Sequence, residues 1–238
     1  MENGGFKPDP YWLRPGQTFW NYHLIEVLVF LFLIVPSMAM SFMVKSELSA
    51  IGFVSVATAT IVRDLALVSL VFYFIWRNGE SLRQLGWTWR NGWRDIFWGL
   101  FLFLPFTFSA NLLDGFLKRS GLYGPSGAPS FLTVHATHEI ALGVFLVIVV
   151  ALAEETIFRG YLILRFRGAH LGSLAAAVLS SGIFCLGHGY EGAAGVVTVF
   201  YMGLIFALIY LWRGSLIAPV IMHFLQDFIG VVITGLIK

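Results

Sequence analysis

Three short spacings in this chain bring together side chains able to move protons. Glu154, Glu155 and Arg159 fall within one short run, Phe184 and His188 are four positions apart, and so are His223 and Asp227. An interval of four puts two side chains on one helix face, one turn apart. Glu155 stands N-terminal to Arg159, the favourable order for a helix ion pair, so Arg159 has a structural partner. Glu154 points about 100° away and is left without a partner in its own helix. A lone carboxylate in a dehydrated surrounding is suited to take a proton from water and return it to a leaving amine. His188 and His223 add two imidazoles that can hold water or carry a proton.

The elements around these residues are apolar. The 238-residue chain is 58% hydrophobic and only 12% charged, with a mean hydropathy of +0.81, against about 25% charged residues in an ordinary soluble domain. About twenty apolar residues span a bilayer as a helix, and seven such runs occur, at roughly 22–43, 51–76, 96–115, 138–164, 171–190, 193–212 and 216–236. Backbone groups in lipid must be satisfied within the segment, so the fold class is all-α: a polytopic transmembrane helix bundle of about seven spans. Residues 1–238 read as a single integral membrane domain, with the ionisable residues named above in a core at about 138–236. The opening residues lack the apolar core of a cleavable signal peptide, so the first run is expected to be a retained helix. Cys185 is the only cysteine, which excludes an internal disulfide and a thiolate-rich metal site. A net charge of +2 gives no reason to expect a nucleic-acid partner.

Lys and Arg mark the cytoplasmic side. Lys7, Arg14, Arg77, Arg83, Arg90, Arg94, Arg165, Arg167 and Arg213 fall at one set of loops, and Lys45, Lys118, Arg119 and Lys238 at the other. This predicts a cytoplasmic N-terminus and a C-terminus outside, in the cell membrane. The polar, tryptophan-rich segment near 77–95 is expected to form a short amphipathic helix on the membrane surface. Arg63 and Asp64 are further charges within a span. Adjacent helix residues are poorly placed to pair, so each is expected to meet a partner on another helix or to face a wet cavity, in a structural role.

Depth connects the three polar spans. Glu154 and His188 each lie about 25 Å from the turn near residues 168–172, by the rise of a helix. By the same measure His223 lies about 14 Å from the turn at Arg213 and Glu154 about 16 Å from Arg165. Glu154, His188, His223 and Asp227 can therefore converge in one cavity. Single polar residues on separate helices also serve as interhelical glue, and acids with histidines also form proton relays in transporters. Broken helices or inverted repeats of the transporter kind are not evident.

At these residues the chain resembles the CPBP family of intramembrane proteases, which includes the type II CAAX prenyl endopeptidases and the abortive-infection and bacteriocin-immunity proteins. Glu154, Glu155 and Arg159 match its first motif, Phe184 and His188 its second, His223 and Asp227 its third. The resemblance implies hydrolysis of a peptide bond in a membrane-associated peptide or protein. It implies that Glu154 activates water, that His188 holds it, that His223 and Asp227 position or stabilise the oxyanion, and that Glu155 and Arg159 support them. Two histidines and a carboxylate are also a zinc set. Glu154, His188 and His223 would be its ligands, and this metal route stays open beside the preferred metal-free one. Asp227 stands where CAAX endopeptidases usually carry asparagine, and the chain ends soon after the seventh run; both count against a prenylated substrate. A non-proteolytic immunity or scaffold protein is the main alternative, and a proton-coupled transporter a more distant one.

Overall fold

The computed structural model describes residues 19–43, 52–125 and 129–237. The expectations resting on Lys7, Arg14, Lys45 and Lys238 lie outside them. Among the described residues every element is helical. The principal helices are α1 (Phe19–Met43), α2 (Phe53–Arg77), α3 (Gly92–Arg119), α4, α5 (Ser173–Leu186), α6 (Gly192–Arg213) and α7. Helix α4 is one rod of three pitches: α-helical over Ile140–Glu154, π-helical over Glu155–Leu162 and α-helical again over Ile163–Gly168. Helix α7 is α-helical over Ile217–Asp227 and continues as a π segment, Phe228–Ile233.

Six of these helices are long and apolar enough to cross a membrane; α5, with 14 residues, is not. It rises about 21 Å, less than the roughly 30 Å of a hydrocarbon core. The seventh expected span is thereby corrected, and the cause is local. Hydropathy continues past Leu186, but Gly187, Gly189 and Gly192 interrupt the helix. A 3-10 turn occupies Gly189–Glu191, and Gly192 takes a positive φ of 71°, which glycine adopts without steric cost. His188 therefore sits in the turn between α5 and α6, not inside a span. Non-helical backbone at membrane depth is tolerated where it is buried in protein or lines a wet cavity.

Helix α4 is the central element. It packs against α2 and α7, its C-terminal turns touch α1 and α5, and α3 closes the far side against α6 and α7. One core joins Phe30, Ile75, Tyr161, Leu162 and Phe184, and another joins Phe53, Ala57, Val134, Leu146 and Val232. Phe32, Leu104, Phe108 and Leu112 remain exposed on the outside, as lipid-facing side chains do.

Two buried ion pairs fasten the bundle. The guanidinium of Arg165 donates to both carboxylate oxygens of Glu80 at 2.8 and 2.6 Å, and its Nε lies 2.7 Å from Glu26 Oε2. Asn78 Nδ2 also donates to Glu26, so α1, α4 and the turn after α2 meet at one point. Arg165 is thus an interior residue rather than a surface charge, whereas Arg167 is exposed. Arg213 Nε donates to Asp95 at 2.7 Å, joining α6 to α3.

The segment near 77–95 forms no amphipathic helix of its own. A single 3-10 turn, Leu82–Leu85, leads into irregular backbone until α3 begins. Leu85 is fully buried, and the Gly86 carbonyl accepts from Leu216 N at 3.0 Å. A Cβ on Gly86 would lie 2.6 Å from the Tyr210 ring. Close backbone docking onto the bundle replaces the helix that composition alone favours.

Candidate active site

The π-helical stretch of α4 begins at Glu155, and π segments are rare and frequent at functional sites. Glu155 and Arg159 are 0% and 1% exposed, and Arg159 Nη1 donates to Glu155 Oε1 at 2.9 Å, as their spacing predicts. The pair is not self-contained. His223 Nδ1, from α7, lies 2.7 Å from the same Oε1. The Arg159 guanidinium carbon stands 4.3 Å over the Phe184 ring and 5.4 Å from that of Phe206, a stacked cation contact. Gly203 leaves the room for this, since a Cβ there would lie 3.1 Å from Phe184 and 3.2 Å from Arg159 Nη2. Trp87 Nε1 donates to Thr156 Oγ1 at 3.1 Å, which ties the docked segment to the same turn of α4.

Beside this buried layer opens a cavity of about 520 Å³. Glu154, His188, His223 and Asp227 all line it, together with apolar side chains such as Met38, Leu67, Val147 and Phe131. Glu155 and Arg159 lie behind the wall. The six ionisable residues singled out by spacing therefore divide into four that face the cavity and two that hold one of the four.

His223 is the junction. A carboxylate only accepts hydrogen bonds, so the contact with Glu155 places a proton on His223 Nδ1, an assignment made from the partner. Its Nε2 then points into the cavity, 3.4 Å from Asp227 Oδ2 and 3.7 Å from Glu154 Oε2. Glu154 itself makes no direct hydrogen bond from Oε2, and Oε1 stands 3.9 Å from Arg63 Nη2. In the turn after α5, His188 Nδ1 lies 3.2 Å from the Phe184 carbonyl. A carbonyl likewise only accepts, so His188 also carries its proton on Nδ1 and presents Nε2 elsewhere.

The spacing argument missed Arg63 and Asp64 as site residues. Neighbours on one helix do pair here: Arg63 Nε donates to Asp64 Oδ1 at 2.8 Å, because the long guanidinium arm folds back where short side chains could not. Both line the cavity, as do Tyr190 and Glu191. Their signal in the sequence is their ionisable character inside a span; what it lacks is any indication that α2 packs on α4.

The metal alternative does not fit. Among the described residues no three His, Cys, Asp or Glu side chains are grouped to hold a metal ion, so Glu154, His188 and His223 do not form the ligand set that their residue types permit.

Residues 136–229 match the family model of the Rce1-like type II CAAX prenyl endopeptidases. This stretch is similar to that family. It runs from just before α4 into the π segment of α7 and contains all six ionisable residues selected by spacing. Arg63 and Asp64 lie outside the matched stretch, on a helix that packs against it. No curated protein and no solved structure matches the chain. The six helices long and apolar enough to cross a membrane support an integral membrane protein, and the matched family is one of proteases.

Proposed function

We propose that the protein is an intramembrane endopeptidase in which Glu154 activates water against a peptide bond. One observation carries the reading: Glu154 faces a largely apolar cavity with both oxygens flanked, but not hydrogen-bonded, by Arg63 and His223. An unspent carboxylate of this kind can take a water molecule as its partner.

In the reaction, a water held by Glu154 and accepted by His188 Nε2 attacks the scissile carbonyl carbon. Its proton passes to Glu154 while the carbonyl π electrons move onto oxygen, giving a tetrahedral oxyanion. Collapse re-forms the carbonyl, breaks the C–N bond and transfers the Glu154 proton to the departing amine. His223 orients Glu154 and Asp227 from the far side, fixed in turn by Glu155 and Arg159. The apolar lining suits a peptide segment that is itself membrane-embedded, and CAAX-type processing is the finer form of this proposal. The distribution of Lys and Arg supports a cytoplasmic N-terminus and a C-terminus outside, in the cell membrane, which requires the short α5 and the turn after it to carry the chain across; a cytoplasmic tag at Lys238 would overturn that orientation.

The test is purified protein in nanodiscs with a library of membrane-proximal peptides, some prenylated. Cleavage by the wild type that is lost in Glu154→Gln supports the protease. Absence of any cleavage, with an intact fold, favours the non-proteolytic scaffold instead.

A further inference from the structure

Peptide hydrolysis needs hydrogen-bond donors as well as a base, because negative charge develops on the carbonyl oxygen. The residues that spacing selects are poor in them. Glu154 and Asp227 only accept when ionised. His188 carries its proton on Nδ1 toward the Phe184 carbonyl, and His223 spends Nδ1 on Glu155 and aims Nε2 between Asp227 and Glu154, so a proton there already has carboxylate acceptors. Ser37 and Ser41 donate to the backbone carbonyls of Ile34 and Met38. Among the described residues that line the cavity, Arg63 is the only Lys or Arg, and the hydroxyls of Tyr190 and Thr60 are neutral donors beside it.

We propose that Arg63 is the oxyanion donor of this site; the inference rests on the protease reading above. Asp64 holds the guanidinium by Nε at 2.8 Å, which leaves Nη2 on the Glu154 side, toward the cavity. Nη2 stands 3.9 Å from Glu154 Oε1, too far for a hydrogen bond. Its N–H is therefore unspent while substrate and water are bound. As water attacks, Glu154 gains a proton and loses its charge, while a full negative charge appears on the neighbouring carbonyl oxygen. A cation that flanks the base without bonding it can close on that oxygen at about 2.7–3.1 Å. The interaction is then stronger in the transition state than in the ground state, the condition for raising kcat rather than lowering KM. Asp64 is a positioning residue in this scheme, fixing the direction of the fork.

The experiment compares wild type, R63Q, R63K, D64N, Y190F and T60V in nanodiscs. It uses a peptide that the wild type cleaves and the phosphinic acid isostere of that peptide, a tetrahedral anion. R63Q is expected to lose about 100- to 1,000-fold in kcat, the usual loss on removing one oxyanion donor, with KM within threefold. Its affinity for the phosphinic isostere should fall by a similar factor. R63K should recover part of both losses, and it is the decisive variant if R63Q does not fold. D64N should lower kcat about tenfold, by the general cost of loosening a positioned group. The inference is overturned if R63Q stays within threefold of wild type, if the loss falls on KM, or if phosphinate affinity is unchanged. It is equally overturned if Y190F or T60V takes the large fall in place of R63Q. A dead E154Q with an active R63Q removes this inference alone; a wild type that cleaves nothing removes the protease reading with it.

Discussion

His223 Nδ1 and Glu155 Oε1 lie 2.7 Å apart across two helices, and this bond decides which nitrogen of the imidazole faces the cavity. Glu155 is shared with Arg159 at 2.9 Å, so the carboxylate holds a cation on one side and a ring on the other. Buried ion pairs contribute little net stability compared with apolar replacements, but breaking one is costly. Glu155→Ala should therefore destabilise the protein by about 3–5 kcal/mol, leaving the Arg159 charge unmatched. Thermal unfolding in detergent measures it. Glu155→Gln keeps an acceptor for Nδ1 and should unfold closer to wild type, with activity reduced.

Glu154 is expected to behave in the opposite way. It spends no hydrogen bond on the fold, so Glu154→Gln should leave the unfolding temperature within a degree or two. Cleavage should fall by about 10²- to 10⁴-fold, the usual contribution of a positioned base. A variant that unfolds early, or one that still cleaves, contradicts the assignment.

Chelation bears on the reaction class. With no metal-ligand grouping among the described residues, cleavage should survive dialysis against strong chelators, and active protein should carry less than one equivalent of any transition metal. Activity that disappears with chelator and returns with zinc would reverse this expectation.

Arg165 offers a stability test away from the cavity. It is fully buried between Glu80 and Glu26, and truncation strands two carboxylates. Arg165→Ala should cost about 3–5 kcal/mol and loosen α1, which supplies one wall of the cavity. Greater proteolytic sensitivity of the α1 region, together with a lowered unfolding temperature, would register both effects.

Gly203 probes the packing behind the site. Adding a Cβ 3.1 Å from Phe184 and 3.2 Å from Arg159 Nη2 crowds the stacked pair, and Gly203→Val should cost about 1–3 kcal/mol by overpacking. Because that pressure falls on the residues that hold Glu155, activity should drop further than stability alone predicts. Wild-type kinetics in a folded Gly203→Val protein would show that the Arg159 stack has slack.

Much of this protein was legible in one dimension. Of the seven apolar runs expected to span, six coincide with helices long and apolar enough to cross a membrane, because lipid forces backbone hydrogen bonds to close locally. The Glu155–Arg159 contact followed from helix spacing alone. The convergence of Glu154, His188, His223 and Asp227 followed from depth, since rise per residue is nearly constant. The exceptions have local causes: glycines ended α5 early and moved His188 into a turn, and close docking of Leu85 and Gly86 replaced a surface helix.

What the sequence by itself determined is therefore whatever depends on neighbours along the chain: helix positions, depth, and pairs within one turn. Only the tertiary structure decided which faces meet. It joined Glu155 to His223, gave that histidine the proton on Nδ1 through a partner far away in sequence, and swung α2 against α4 so that Arg63 flanks Glu154. The physical reason is that hydropathy sets how deep a residue lies but not the rotation of its helix or the choice of neighbour. Those follow from side-chain packing, such as the space that Gly203 leaves for Arg159 and Phe184.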